Sequence, residues 1–354
     1  MSFWKNIRLD KVGLGSLFQA QRPKIGTHDG FFHCDEALAV YLLRQTKAFK
    51  NANLVRSRDP AVLATCNVIV DVGQIYDPQR NMFDHHQKGF EEIFDSNSEI
   101  KLSSAGLIYK HFGKEILATE LNLPNQDHPT VTEIYNKIYY KFVKPLDAKD
   151  NGITAYATEA SPRYFDSTDL GTRISRLYPA WNEPNDTALV NERFEEASSL
   201  AGKEFIQSVR SLINSWLPAR VIVQKSYENR NKYHPSGRVV ILEEACPWRD
   251  HLKTCEKDST TEVLYVISES KNGKWMVQTV GKPGAQFRNK WPLPESWRGL
   301  SKEALREVSG IPGAEFVHAA GFIGGADSYQ DALSMASKAI EEFEASKSIT
   351  DIKQ

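Results

Sequence analysis

Thiols are scarce in this chain: four cysteines in 354 residues, none in a C-x-x-C pair. That excludes a disulfide-stapled scaffold and points to a reducing, intracellular compartment. An excess of charge of one sign is lacking too. Lysine and arginine (44) nearly balance aspartate and glutamate (45), leaving a net charge of −1. A protein that coats nucleic acid through bulk charge is thereby excluded; a polyanion would have to be held in a local groove. No apolar run approaches the roughly 18–20 residues that span a bilayer, so no membrane partner is expected. Secretory h-regions, internal repeats and low-complexity stretches are also missing.

What is present begins with a mildly basic start. Lys5, Arg8, Lys11 and Arg22 face a single acid, Asp10, with Phe3, Trp4, Leu14, Leu17 and Phe18 between them. Residues 1–22 read as an irregular N-terminal arm, with a weak mitochondrial targeting segment as the alternative. Cytoplasm, nucleus and mitochondrion all stay open.

The length suits two domains. Over the first 150 residues strand and helix patterns alternate, the mark of a parallel α/β sheet. Lys24–Gly26, Leu54–Ser57 and Asn67–Asp71 read as strands, the last apolar enough to be buried on both faces. Asp35–Arg44 reads as a buried helix, and Asp59-Pro60 opens a short one with aspartate at the N-cap and proline at N1. A helix capped by Ser103-Ser104 is expected to stop at Gly113. Val131–Phe142 follows helical spacing up to Pro145. After turn-rich Ser161-Pro162 and Pro179–Pro184, a long amphipathic helix is expected from Thr187 to Trp216. β-rich segments then resume at Arg220–Gln224, Arg238–Leu242, Glu262–Ser268 and Lys274–Val280, with Asn272-Gly273 as a hairpin turn. A helix from about Ser328 to Ala345 closes the chain. The domain reading is 23–185 catalytic, 186–217 connecting helix and 218–354 substrate-binding.

The chemistry concentrates at element ends. His28, His33 and Asp35 crowd the turn between the first strand and first helix. Asp71 ends a buried strand, where an unpartnered carboxylate would be costly. Asp84-His85-His86 follows the short strand Met82-Phe83, and Asp147 and Asp150 follow a helix. Imidazoles and carboxylates gathered at one sheet edge, without thiolate, suit one or two divalent cations, manganese or magnesium rather than structural zinc. Such sites usually hydrolyse bonds at phosphorus. Cys246, His251 and Cys255 have no zinc-finger spacing and read as buried thiols, with Cys246-Pro247-Trp248 starting a helix. Arg173 and Arg176 would contact phosphate or pair with acids.

Four stretches carry a resemblance: Thr27-His28-Asp29-Gly30-Phe31-Phe32-His33-Cys34-Asp35-Glu36, Val70-Asp71-Val72-Gly73, Phe83-Asp84-His85-His86-Gln87 and Leu146-Asp147-Ala148-Lys149-Asp150-Asn151-Gly152. In this order they resemble the motifs of the DHH phosphoesterases, and specifically the melanocyte-proliferating-gene (Myg) exonuclease family, nearly full-length. Leu102–Leu107, Pro292–Glu295, Trp297–Leu300 and Phe316–Gly325 match as well. The resemblance implies a DHH-type parallel-sheet domain joined by a long helix to a smaller α/β domain of the DHH-associated kind. It implies two cations, manganese before magnesium, bridged by Asp71, with His28 and His33 on one and Asp35, His85 and Asp150 on the other. Asp147 is the alternative to Asp150. Asp71, Asp84 and His86 become the catalytic candidates, with His86 facing the scissile phosphate. His33 stands where many DHH enzymes carry aspartate.

In the second domain, Arg288, Lys290, Arg298, His318, Gly321, Gly324 and Gly325 become the substrate-binding candidates. The basic residues are interleaved with Phe287, Trp291 and Trp297, a pattern suited to single strands, and the glycines are expected to offer backbone N–H groups to phosphate just before the last helix. Lys290 lacks the bidentate fork of the arginine that relatives tend to carry, and Ala326-Asp327 is not basic. The implied activity is 3′–5′ exonucleolytic cleavage of single-stranded RNA or short oligonucleotides. The competing expectations are a pyrophosphatase-like hydrolase of small phosphorylated molecules and a non-catalytic metal or nucleotide binder.

Overall fold

A computed structural model describes residues 22–156, 164–184, 186–284 and 288–352. The basic N-terminal stretch up to residue 21, Ser161-Pro162 and Phe287 lie outside the described residues. The chain divides into two compact units, the first up to Val209 and the second from Arg210. No helix among the described residues is long and apolar enough to cross a membrane.

The first unit is built on β1 (Lys24–Thr27), α1 (Cys34–Arg44), β2 (Asn53–Arg56), α2 (Pro60–Leu63), β3 (Val68–Val70), β4 (Tyr76–Asp77) and β5 (Met82–Phe83). Helices α3 (Ser104–Glu120), α4 (Pro129–Ile138), α5 (Lys144–Asp150), α6 (Leu170–Ser175) and α7 (Thr187–Ser211) follow, with the unit boundary inside α7. The sheet order is β2-β1-β3-β5-β4, parallel except for antiparallel β4. Registers Ile25↔Val68 and Val70↔Phe83 stack apolar residues across it, each at most 1% exposed. Every such side chain taken from water contributes about 1.5–3 kcal/mol. α1 is buried nearly all round and packs on α3, so its apolar character is not confined to one stripe.

Two expectations for this unit need correction. Gly113 does not end a helix: α3 runs on to Glu120. A Cβ there would sit 2.9 Å from the Tyr109 ring and 3.0 Å from the Tyr135 ring, so the glycine admits two aromatic rings rather than a left-handed cap. Pro145 likewise does not stop the chain's helical course. A π-helical turn (Tyr139–Val143) leads directly into α5, and the proline falls in that helix's first turn, where a missing N–H costs little.

The second unit contains α8 (Leu217–Glu228), α9 (Arg230–Tyr233), β6 (Val239–Ile241), α10 (Arg249–Cys255), β7 (Tyr265–Glu269), β8 (Trp275–Thr279), α11 (Lys302–Ser309), β9 (Ala314–Val317), β10 (Ile323–Ala326) and α12 (Tyr329–Ile352). Its sheet runs β6-β7-β8-β10-β9, with only the β6–β7 pair parallel. Gly273, at φ 79°, turns the β7–β8 hairpin. The molecule is therefore an α/β protein with one mainly parallel and one mixed sheet. Arg220–Gln224 is helix, not strand. Ala219, Val223, Ser226 and Tyr227 are buried at helical spacing while Val221 stays 72% exposed, so one-sided burial overrides the β-branched run.

Candidate metal centre

Three parallel strands end side by side, and each releases a stretch of ligand-type residues at its carboxyl end, where open α/β sheets present their sites. β1 leads into His28 and His33, β3 into Asp71, and β5 into Asp84-His85-His86. Asp71 itself is left-handed at φ 59°, a conformation that aspartate and asparagine adopt more readily than other residues bearing a Cβ. The turn exposes both of its carboxylate oxygens to neighbours from other strands.

Those oxygens face different partners. Oδ2 lies 3.3 Å from His28 Nε2, and Oδ1 lies 3.1 Å from His85 Nε2 and 3.6 Å from His86 Nδ1. His28 also approaches Glu36 Oε1 at 3.2 Å, and His85 approaches Asp150 Oδ2 at 3.3 Å and Asp35 Oδ2 at 3.9 Å. Among the described residues three groups of possible ligand atoms result: His28, His33, Glu36 and Asp71; Asp71, Asp84, His85 and His86; and Asp35, His85 and Asp150. Asp71 belongs to two of them, and its Oδ1 touches the His85 of the third. All six anticipated ligand positions, His28, His33, Asp35, Asp71, His85 and Asp150, thus meet in one place.

Several of these groups are held by further hydrogen bonds. His28 Nδ1 meets the Asp29 carbonyl at 3.0 Å; a carbonyl only accepts, so Nδ1 carries the proton and Nε2 turns to the cluster. Asp35 Oδ2 accepts from the Ser104 N–H at 3.2 Å and the Ser104 hydroxyl at 2.8 Å. Asp84 has donors on both oxygens. Gln74 N–H occupies Oδ2 at 2.6 Å, while the N–H groups of His85 and His86 and the His86 ring occupy Oδ1. It acts by holding the histidine pair. His86, 56% exposed, is set by the 2.7 Å contact of its Nδ1 with Asp84.

The electrostatics are those of a cluster short of positive charge. Burial alone would lower the His28 pKa, but hydrogen bonds to Asp71 and Glu36 overcome it and push the ring up to about 10. Glu36 and Asp150 are both raised, by burial first, and Asp35 adds repulsion in each case. Asp71 moves the other way: burial opposes it, yet the bonds from His28 and His85 hold it below the usual carboxylate range. Asp35 Oδ1 and Glu36 Oε2 are buried with no hydrogen-bond partner. An unpartnered buried carboxylate oxygen costs more than about 1–3 kcal/mol, and hard oxygens left open among imidazoles fit a divalent cation. A cavity of about 620 Å³ opens over the group, walled by His33, Asp35, Asp71, His85, His86, Lys149, Asp150 and α6 residues Gly171, Thr172 and Ser175 among others.

Asp147 is placed elsewhere. It is fully buried; its Oδ1 takes the Ser103 N–H at 3.0 Å and the Ser103 hydroxyl at 2.7 Å at the start of α3, and it belongs to none of the three ligand groups. Burial pushes its pKa up to about 7. Glu36 is the ligand-type residue that sequence reasoning missed. Three residues after His33, it reads as the acid of a capping box, and it does accept the His33 N–H at 2.7 Å. Its complete burial beside His28 was not visible in the pattern.

The second unit's candidates have other attachments. Lys290 Nζ is held by Glu256 at 2.9 and 3.1 Å, and Arg298 Nε donates to the Leu293 carbonyl at 2.9 Å. Arg288 and His318 are exposed, with His318 Nδ1 accepting from the Ala320 N–H. Gly321, at φ 67°, ends the turn before β10. Gly324 and Gly325 do precede α12, but they lie within β10, laddered to β8 and β9, rather than offering their backbone to a phosphate. A Cβ on Gly325 would fall 2.4 Å from the Phe316 ring; the pair lets side chains close over the strand. Trp297 is in the core and Trp291 packs against it. Cys246 and Cys255 pack on a hydrophobic cluster while His251 Nε2 meets the Trp216 carbonyl at 2.7 Å. In the first unit, Arg173 pairs with Glu204 at 3.0 Å, and Arg176 is exposed.

Comparison with known proteins gives one consistent likeness. The family model MYG1_exonuc, described as Uncharacterised protein family (UPF0160), matches residues 24–340. The chain is 47% identical over 322 residues to a Homo sapiens protein named MYG1 exonuclease, covering 89% of this chain and 85% of that one. A Rattus norvegicus protein of the same name is also 47% identical, over 89% of this chain and 84% of its own length. The MYG1 protein of Dictyostelium discoideum is 44% identical over 90% of this chain and 96% of its own length.

Proposed function

Since the chain belongs to the MYG1 family (UPF0160), we propose that it is a metal-dependent phosphodiesterase, and specifically a 3′–5′ exonuclease acting on single-stranded RNA or short oligonucleotides. The observation that carries this reading is Asp71, whose two oxygens are turned toward separate imidazole–carboxylate groups. The names of the mammalian relatives support exonuclease activity; direction and RNA preference rest on the family resemblance.

His28, His33, Glu36 and Asp71 would hold one divalent cation, and Asp35, Asp71, His85 and Asp150 a second, manganese before magnesium. Bound there, paired cations acidify water and stabilise the charge of an in-line displacement at phosphorus. The protein's own groups do the rest. Ser104 aims Asp35 into the cluster through two hydrogen bonds. Asp84 fixes the His86 ring at the cavity wall, placing an imidazole where a phosphate oxygen would need a donor. Lys149, on the same wall, has its ammonium held by Asp169 and the Thr172 hydroxyl, so it brings positive charge to the rim rather than a free ammonium.

The test is a time course with RNA and DNA oligomers labelled at either end, in manganese, magnesium or chelator, beside inorganic pyrophosphate. Stepwise shortening of RNA from its 3′ end, abolished by chelator, is expected. Pyrophosphate hydrolysis without oligonucleotide cleavage would replace this reading by the small-molecule one.

A further inference from the structure

Trp291 and Trp297, expected to meet bases in the second unit, are taken up by its core, whereas the first unit carries a half-exposed ring beside the ligand cluster. Phe31 and Phe32 are consecutive, with rings 6.5 Å apart and nearly parallel, yet Phe32 is fully buried and Phe31 is 48% exposed. Phe32 is gripped edge-on by Phe194 and Tyr178, which fixes the backbone and turns Phe31 outward. The Phe31 ring lies 4.7 Å from Tyr178 and 5.5 Å from His33, centroid to centroid. His33 is both a member of the Asp71 ligand group and part of the cavity wall. Tyr178 comes three residues after Ser175, which with Gly171 and Thr172 of α6 forms that wall as well. An open aromatic edge, secured from two elements, therefore borders a cavity lined by carboxylates and imidazoles.

We propose that Phe31, backed by Tyr178, is the stacking platform for the base of the nucleotide whose phosphate enters the Asp71 cavity. This deepens the phosphodiesterase reading and rests on it. Every nucleobase has an apolar π face, so stacking favours binding whatever the sequence, by about 5- to 150-fold per base. The step from Phe31 to His33 is of the same order as the distance from a base to its own phosphate, so one nucleotide would be held at both ends by neighbouring residues. A chain with almost no net charge has little long-range attraction for a polyanion, and a stacking contact supplies affinity that charge does not.

The experiment uses the full chain with manganese. Adenosine 5′-monophosphate and ribose 5-phosphate are titrated by calorimetry, and kinetics are measured on an oligonucleotide with an ordinary or an abasic 3′-terminal residue. The wild type is expected to bind the nucleotide at least about 5-fold tighter than the sugar phosphate. In Phe31→Ala that ratio falls toward one, and the KM advantage of the ordinary terminus over the abasic one falls with it, while Phe31→Trp keeps both. Tyr178→Ala, which removes the backing ring and one of the two edge-on contacts of Phe32, lowers the ratio part of the way. A wild type without preference, binding of neither ligand, or a ratio unchanged in Phe31→Ala overturns the platform. Absence of turnover on both oligonucleotides defeats the phosphodiesterase reading instead, and the binding ratio still decides the platform.

Discussion

Two acids three residues apart, Asp147 in the first turn of α5 and Asp150 at its last residue, are expected to respond in opposite ways to the same change. Asp147 Oδ1 receives the N–H and hydroxyl of Ser103. In Asp147→Ala both donors are buried without an acceptor. At about 1–3 kcal/mol for each orphaned group, the loss is about 2–6 kcal/mol, which lowers the melting temperature of a domain of this size by roughly 5–20 °C. Asp147→Asn keeps an acceptor oxygen and buries no charge, so at about pH 4, where Asp147 is itself protonated in the fold, its stability should stay within about 1 kcal/mol of wild type. Asp150→Asn removes a carboxylate that Asp35 and Asp71 repel, so the metal-free protein should be no less stable, but manganese binding should weaken by at least roughly 10–100-fold. Thermal melts in chelator and calorimetric manganese titrations of the three variants decide the matter. Should Asp147→Asn lose manganese affinity as Asp150→Asn does, while still folded, the assignment of the cluster is wrong.

Asp71→Asn should lower phosphodiester turnover by roughly 10³-fold or more, about 4 kcal/mol of transition-state stabilisation, with a circular dichroism melt close to wild type. Saturating manganese, at 100 times its dissociation constant, should stabilise the first unit by about 2.7 kcal/mol, seen as a rise in melting temperature that chelator reverses. The Asp147 pKa is raised from an unfolded value near 3.8 to about 7, so the folded state binds the proton more tightly. Its contribution is fully present below the unfolded value and is lost as pH rises toward 7, by at most about 4 kcal/mol at about 1.4 kcal/mol per unit. In urea melts the stability of wild type minus that of Asp147→Asn should fall as pH rises from about 4 to about 7, leaving the variant the more stable; wild type gaining on the variant over that range refutes it. Gly106→Ala would set a Cβ 2.4 Å from Asp147 Oδ1, and about 1–3 kcal/mol of overpacking is expected in the same melts.

The parts of the site that follow from alternating elements were legible. A run such as Val68–Val70 must lie inside a sheet, and a parallel sheet delivers whatever follows its strands to one edge, so the sequence alone brings Asp71 and His85 to the same edge. Asp59-Pro60 opens its helix as its capping chemistry requires, with the carboxylate accepting the Ala61 N–H at 2.8 Å. What escaped were residues whose local pattern has two meanings. Glu36 satisfies a cap and a ligand position with the same side chain, and only the approach of His28 reveals the second. Gly113, Gly324 and Gly325 look like turn formers because glycine's lack of a Cβ serves equally to bend a chain or to admit a ring. Lys290 looked like a phosphate contact because Glu256, its partner 34 positions earlier, is near only in the fold.

Asp71 combines a shared carboxylate with a left-handed backbone, and the two demands narrow which residues evolution can try there. Glutamate offers the same charge on a longer arm but tolerates that backbone poorly; glycine tolerates it and brings no oxygen. Asparagine meets the steric requirement and keeps an oxygen while surrendering the charge. Substitution at this codon therefore leads either to a misshapen loop or to a well-formed but chemically silent protein, with no intermediate that trades a little of each.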